Sequence, residues 1–239
     1  PVGTFTDIDA GEYHNCALDA SGSIECWGSN SQGQVSSAPD GTFTDVSEGY
    51  DHTCALDASG SIVCWGGDVY SQVSDAPDGT FTDVAGGAYF NCALDASGSI
   101  SCWGNDNYNQ ISDTPVEGTF TDVVAGYHHS CAINASGSIV CWGTTSGWSN
   151  YGQVSDTPSG TFTDVDAGGF HTCAIDASGT ISCWGRDDNN QVSDAPVEGT
   201  FTDVSAGDYH TCAISEEESS DVACDSDDED ENYCGVDLD

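Results

Sequence analysis

The chain says nearly the same thing six times. The phrase GTFTD begins at Gly3, Gly41, Gly79, Gly118, Gly160 and Gly199, at spacings of 38, 38, 39, 42 and 39 residues. A repeat of this length implies stacked supersecondary units, none able to bury its apolar face alone: a solenoid, a propeller or a comparable array. In each copy a short β-prone run (Phe5, Asp7 and Ile8 in the first) leads to a glycine. Then come HNCALD, ASG, SIECWG, a polar loop and QVSSAP. Alternation and β-branched residues mark strands, and no stretch carries a helical period. Three or four short strands, six times over, suit propeller blades better than solenoid rungs, which are usually shorter and rarely carry a tight hairpin each. The expected fold is all-β: a β-propeller of six short blades, or seven if another completes the ring. The propeller would span 1–214, and an acidic segment, 215–239, would complete or cap the last blade.

The hairpin inside each unit can be derived. If Ala20, Ser21 and Gly22 form a three-residue loop with Gly22 left-handed, Asp19 faces Ser23, Leu18 faces Ile24, and Cys16 faces Cys26. The two cysteines then occupy a closer, non-hydrogen-bonded site, where a cross-strand disulfide can form. The same register pairs Cys54 with Cys64, Cys92 with Cys102, Cys131 with Cys141, and Cys173 with Cys183. With a loop two residues longer, it also pairs Cys212 with Cys224. Cys234 is left over, for another chain or as a competitor for Cys212. Zinc ligands usually come as close pairs spaced C-x₂₋₄-C, unlike these. One disulfide per blade requires an oxidising compartment, so the expected location is extracellular or the cell surface.

Charge narrows the partners. The chain carries 41 acidic residues against one basic residue, Arg186, for a net charge near −40. Nucleic acid and anionic membranes would be repelled. Neutral glycans, basic proteins and cations remain. Such self-repulsion is relieved by salt, which reads as a halophilic milieu, with a secreted acidic protein in ordinary brine as the alternative. No apolar run reaches 18 residues, so no membrane insertion is expected.

The signature AGxxHxCA(L/I)xxxGxIxCWGxNxxGQ(V/L) resembles the repeat of the regulator of chromosome condensation family. The first copy shows it at Gly11, His14, Cys16, Ala17, Leu18, Gly22, Ile24, Cys26, Trp27, Gly28, Asn30, Gly33 and Gln34. The resemblance implies a propeller, most often seven-bladed in that family, that binds proteins through its faces. Known members include a nucleotide-exchange factor, a plant light sensor, ubiquitin-ligase domains and a bacterial β-lactamase inhibitor. The fold alone does not choose among these roles. The paired cysteines resemble secreted members rather than a nuclear exchange factor.

Candidate sites must be weighed against plain architecture. His14, His52, His129, His171 and His210 share one repeat position, where the third copy has Phe90. A metal-binding or pH-sensing ring is conceivable, but replacement by Phe90 favours a structural histidine bonding backbone between blades. His128 is extra and expected at the surface. Trp27, Trp65, Trp103, Trp142 and Trp184 read as inter-blade packing. The loops after CWG vary while the framework does not, as a binding face would. They offer Tyr70, Tyr108, Trp148 and Tyr151 as contact residues, and Arg186 is expected to pair with a local carboxylate such as Asp187. Asn134 begins a glycosylation sequon at a hairpin tip. Asp225, Asp227 and Glu229 alternate like the start of an EF-hand loop. Asp230 stands where its glycine belongs, which leaves them weak calcium ligands in a solubilising tail.

No nucleophile–base constellation stands out, so no enzyme and no cofactor is expected beyond weak Ca2+ or other cations on the acidic surface. The leading expectation is an extracellular binding or scaffold propeller that takes a protein or glycan partner through the variable loops. The alternatives are a self-assembling subunit of a surface layer, fibre or appendage, joined by cations or Cys234, and a secreted enzyme inhibitor.

Overall fold

A computed structural model of the chain describes residues 3–215 and 222–224. They form eighteen strands in six antiparallel three-stranded sheets, one per repeat. The first blade is β1 (Phe5–Ala10), β2 (His14–Asp19) and β3 (Ile24–Gly28). The second is β4 (Phe43–Glu48), β5 (His52–Asp57) and β6 (Ile62–Gly66), and the third β7 (Phe81–Gly86), β8 (Phe90–Asp95) and β9 (Ile100–Gly104). Next come β10 (Phe120–Ala125), β11 (His129–Asn134) and β12 (Ile139–Gly143), then β13 (Phe162–Ala167), β14 (His171–Asp176) and β15 (Ile181–Gly185). The last is β16 (Phe201–Ala206), β17 (Thr211–Ser215) and β18 (Val222–Cys224). Among the described residues there is no helix, and the architecture is that of a β-propeller.

The derived hairpin is the one observed. Leu18 pairs with Ile24 and Cys16 with Cys26, Gly22 is left-handed at φ 79°, and the Asp19 carboxylate accepts the N–H groups of Ser21 and Ser23. Five disulfides close five blades: Cys16–Cys26, Cys54–Cys64, Cys92–Cys102, Cys131–Cys141 and Cys173–Cys183. In the sixth blade the backbone register places Cys212 opposite Cys224, as expected. The side chain of Cys224, with Cys234, Asp225, Asp227, Glu229 and most of the 215–239 segment, lies outside the described residues. Asn134 takes the place that Asp19 has in the first blade. Its Oδ1 accepts Ser136 and Ser138 N–H, so this residue is first of all a turn former.

Blades are joined by a repeated set of contacts. Trp65 packs with Cys16, Leu18, Phe43 and Val46, and its indole N–H donates to the Gln34 carbonyl of the preceding blade at 2.8 Å. Trp103, Trp142 and Trp184 do the same to Gln72, Gln110 and Gln153. The repeat histidines also reach across, though to side chains of the next blade rather than backbone. His14 Nε2 meets Thr53 Oγ1, His52 meets Asn91 Oδ1, His129 meets Thr172 and His171 meets Thr211, at 2.8–3.0 Å. Burial drags His14, His52 and His171 down to about 4 and His129 to about 3. These imidazoles are neutral structural groups, not a pH sensor near neutrality.

One seam lacks this pattern. Ile8 of β1 is 62 % exposed, whereas its counterpart Val46 is 3 % exposed; Ile214 of β17 is 45 % exposed against 2 % for Leu18. His210 is exposed and Trp27 only half-buried, unlike their counterparts in the interior blades. Among the described residues, the sixth and first blades therefore do not cover each other as successive blades do. They still approach at one mouth of the central channel: the Tyr127 hydroxyl, from the fourth blade, meets Asp208 of the sixth at 2.7 Å and also touches Glu12 of the first.

Candidate binding face and axial channel

Each loop after CWG is anchored at both ends. At its start, a backbone N–H bonds the carbonyl of the residue before the repeat histidine position: Gly67 to Asp51, Asn105 to Tyr89, Thr144 to His128 and Arg186 to Phe170, at 2.7–2.9 Å. All these loops consequently gather on one face, and the ASG hairpin tips gather on the other. At its end, a buried glutamine accepts the N–H two residues upstream: Gln72 from Tyr70, Gln110 from Tyr108 and Gln153 from Tyr151, at 2.7–2.8 Å. The residue between turns left-handed, as at Ser71, Asn109 and Gly152. An Asp carboxylate then fixes the following turn, as Asp68 does for Val73 and Ser74. The loops thus vary in side chain, and in the fourth blade in length, between ends held by the same bonds.

The geometry puts Tyr70, Tyr108 and Tyr151 at one and the same loop position. Each leans on the next blade, against the residue preceding the repeat histidine: Tyr70 on Tyr89 (5.4 Å between ring centres), Tyr108 on His128 (4.1 Å), Tyr151 on Phe170 (5.6 Å). Tyr13 and Tyr50, 5.0 Å apart, extend this partly exposed aromatic girdle around the mouth. His128 is accordingly half-buried beneath Tyr108, not a free surface residue as expected. Trp148 stands apart at 98 % exposure, on the longer loop of the fourth blade.

Arg186 lies within 5.2–5.7 Å of the Tyr151, Phe170 and Tyr209 rings and pairs with Asp188 at 2.9 Å. Asp187, the expected partner, is already engaged, since its Oδ1 accepts Val192 and Ser193 N–H. The guanidinium thus sits within cation–π distance of three rings, two of which, Tyr151 and Phe170, meet edge to face.

Beneath the girdle runs a cavity of about 1060 Å³, walled by the innermost strand of every blade. The aspartate of each GTFTD phrase lines it: Asp7, Asp45, Asp83, Asp122, Asp164 and Asp203. Sequence reasoning used this phrase only as a ruler. The clue was there, because an acidic residue recurs in a β-prone run on the strand nearest the axis. Burial lifts Asp45 and Asp122 to about 6; burial and the flanking Asp45 and Asp122 lift Asp83 to about 8. Some carboxylates also tie blades together: Asp45 accepts Val84 N–H, Asp83 accepts Val123 N–H and Asp166 accepts Ala206 N–H.

Constant stapled blades, a loop face of pinned variable side chains and a carboxylate-walled channel define a disulfide-closed repeat β-propeller. The sequence model of the regulator of chromosome condensation (RCC1) repeat matches residues 5–34, 43–72, 81–110, 120–153 and 162–191, more than half of the chain, and the chain belongs to this family. The fold is similar to the entire ectodomain of the Physcomitrella patens receptor kinase CR4 (TM-score 0.79, 27 % identity). That match covers 95 % of this chain and 62 % of the ectodomain, so the chain spans under two thirds of that relative's length. The ectodomain of the Arabidopsis thaliana receptor kinase ACR4 matches with TM-score 0.75 and 27 % identity, over 93 % of this chain and 81 % of that one. Yeast RCC1 (Prp20), solved with Kap60, matches in fold at TM-score 0.72 and 18 % identity, over 89 % and 68 % of the two chains. No curated protein sequence matches the chain.

Proposed function

We propose that the chain is an extracellular, non-enzymatic binding propeller that recognises a protein partner through its loop face. The carrying observation is the shared loop position of Tyr70, Tyr108 and Tyr151, each pinned by a buried glutamine beside an aromatic or imidazole ring of the next blade. Rigid aromatics held at low entropic cost are the residues that dominate interface energetics. Likeness to two receptor-kinase ectodomains, together with five disulfides, supports the extracellular setting. Yeast RCC1 was solved bound to Kap60, and Prp20p is described with binding properties to Gsp1p and histones, so protein binding has precedent on this fold. A glycan is the alternative occupant.

Residue footprinting of the secreted protein at its native surface tests this. Protection should concentrate on the loop face and vanish in Tyr70→Ala/Tyr108→Ala/Tyr151→Ala with an unchanged melting temperature. Ala58→Gln/Ala96→Gln, on the opposite hairpin tips, should leave it intact. Protection at the hairpin tips instead would refute the reading, and retained binding to a glycan microarray would transfer the face to sugar recognition.

A second reading, a self-assembling subunit, is favoured by the open seam. Ile8 and Trp27 on one side, and His210 and Ile214 on the other, are the groups that successive blades cover elsewhere. Light scattering showing a monomer at every salt and calcium concentration would remove it.

A further inference from the structure

One residue in the channel breaks the repeat. The position held by Ala10, Gly86, Ala125, Ala167 and Ala206 in the other blades is Glu48 in the second. Its side chain lines the cavity at 5 % exposure, and among the described residues no N–H or hydroxyl group donates to either carboxylate oxygen. Around it stand only more carboxylates. Asp9 belongs to the preceding blade, with Oδ2 accepting the Ser47 hydroxyl and the Glu48 N–H at 2.9 Å; burial first, then Asp9, and more weakly Asp7 and Asp45 raise the proton affinity of Glu48 well above the usual carboxylate range, so that without a ligand it holds its proton beside Asp9. An unpartnered buried carboxylate costs several kcal/mol in principle, and a neighbouring base is the usual remedy. Here none is near: among the described residues the one arginine pair is Arg186–Asp188, and no lysine exists in the chain.

A ligand that took the place of that proton would bring positive charge and N–H donors. A single metal ion fits poorly, because among the described residues no three acidic, histidine or cysteine side chains converge on one point. The carboxylates are instead spread around the wall, at least one per blade, and the rings of Tyr50, Tyr127 and Tyr209 also line the cavity. A flexible aliphatic chain with several ammonium groups could answer scattered acceptors at once, its methylenes passing the rings and its charges reaching the wall. We propose that the axial channel is a binding site for a chain bearing several primary ammonium groups, either a free polyamine or the lysine-rich tail of a partner, with Glu48 as its anchor. This site is independent of the loop face.

Calorimetric titration of the full chain with spermine, and separately with a tetralysine peptide, in about 0.15 M NaCl tests it. A chain with 41 acidic residues will gather polycations loosely everywhere, so the comparison between variants decides. Wild type should show one saturable site, and Glu48→Gln should weaken it at least tenfold. Asp40→Asn/Asp78→Asn/Asp113→Asn, which removes three exposed charges, should change it less than threefold. Without ligand, Glu48→Gln should melt close to wild type at pH 7, because Gln matches the protonated acid in shape and charge; spermine, which draws the proton off Glu48, should raise the wild-type melting temperature and leave the variant's nearly unmoved. Saturation by spermine alone assigns a free polyamine, and saturation by tetralysine as well assigns a partner's tail. Equal affinity in Glu48→Gln, an equal spermine-induced melting shift in that variant, or the same saturable site filled by Ca2+ alone would overturn the proposal. Loop-face variants should bind spermine normally, which keeps failure here distinct from failure of the recognition reading.

Discussion

Replacing Trp65 by Phe should cost far more stability than the identical change at Trp27. The two tryptophans hold the same repeat position, yet Trp65 is buried against the first blade and donates its N–H to the Gln34 carbonyl at 2.8 Å, whereas Trp27 faces the open seam. Trp65→Phe leaves that carbonyl buried without its donor, about 1–3 kcal/mol. The smaller ring leaves a void among Leu18, Phe43 and Val46 worth about 1 kcal/mol more. The sum is about 2–4 kcal/mol. At half-buried Trp27 there is no blade-to-blade hydrogen bond to lose among the described residues, and the cost should stay below about 1 kcal/mol. Urea unfolding with the disulfides intact, followed by far-UV circular dichroism, reads the difference directly. Equal losses would refute the inter-blade contact pattern, and with it the open seam.

Two further outcomes concern charge. Lowering pH from 8 to 6.5 should raise stability. Asp83, pushed up to about 8 by burial and neighbouring aspartates, and Asp166, pushed up to about 7 mainly by burial, take up protons in the folded state while an unfolded carboxylate stays ionised. Their contribution is full below the unfolded value and lost as pH rises through 7 to 8; with both facing a solvent-accessible cavity, the gain over this window is about 1 kcal/mol. Below pH 6.5 the buried histidines act in the opposite sense, because the unfolded chain then binds the protons they refuse. A melting temperature that falls between pH 8 and 6.5 would contradict this. Salt should also stabilise: raising NaCl from about 0.1 to 2 M should increase the melting temperature by several degrees as repulsion among the 41 acidic residues is screened. A flat response would remove the halophilic reading.

The repeat made the blades legible in the sequence. Spacing gave the copy number, and Gly22 and its counterparts gave the hairpin loop and hence the register that joins Cys16 to Cys26. Trp65 as inter-blade packing followed from the same register. What escaped was whatever depends on the third dimension between blades. The GTFTD aspartates look like strand punctuation until six inner strands are set around an axis. Glu48 looks like ordinary acidic noise in so acidic a chain, because nothing in one repeat says that this position faces a buried wall. The loop tyrosines were visible as exposed aromatics, and each stands two residues before a loop glutamine, Gln72, Gln110 or Gln153. The sequence does not show that this glutamine is buried and pins the tyrosine N–H, or that the ring leans on the next blade. Arg186 does pair with a local carboxylate, but with Asp188 and not the example Asp187, because the turn consumes Asp187.

The account rests on five of the six blades each being closed by its own disulfide, which fixes their hairpins and supports the extracellular setting proposed above. Peptide mapping by mass spectrometry under non-reducing conditions, on protein taken directly from its native source, tests that claim most directly. It should recover Cys16–Cys26, Cys54–Cys64, Cys92–Cys102, Cys131–Cys141 and Cys173–Cys183 as linked pairs. Free thiols at these ten positions, or bonds joining cysteines of different blades, would contradict it.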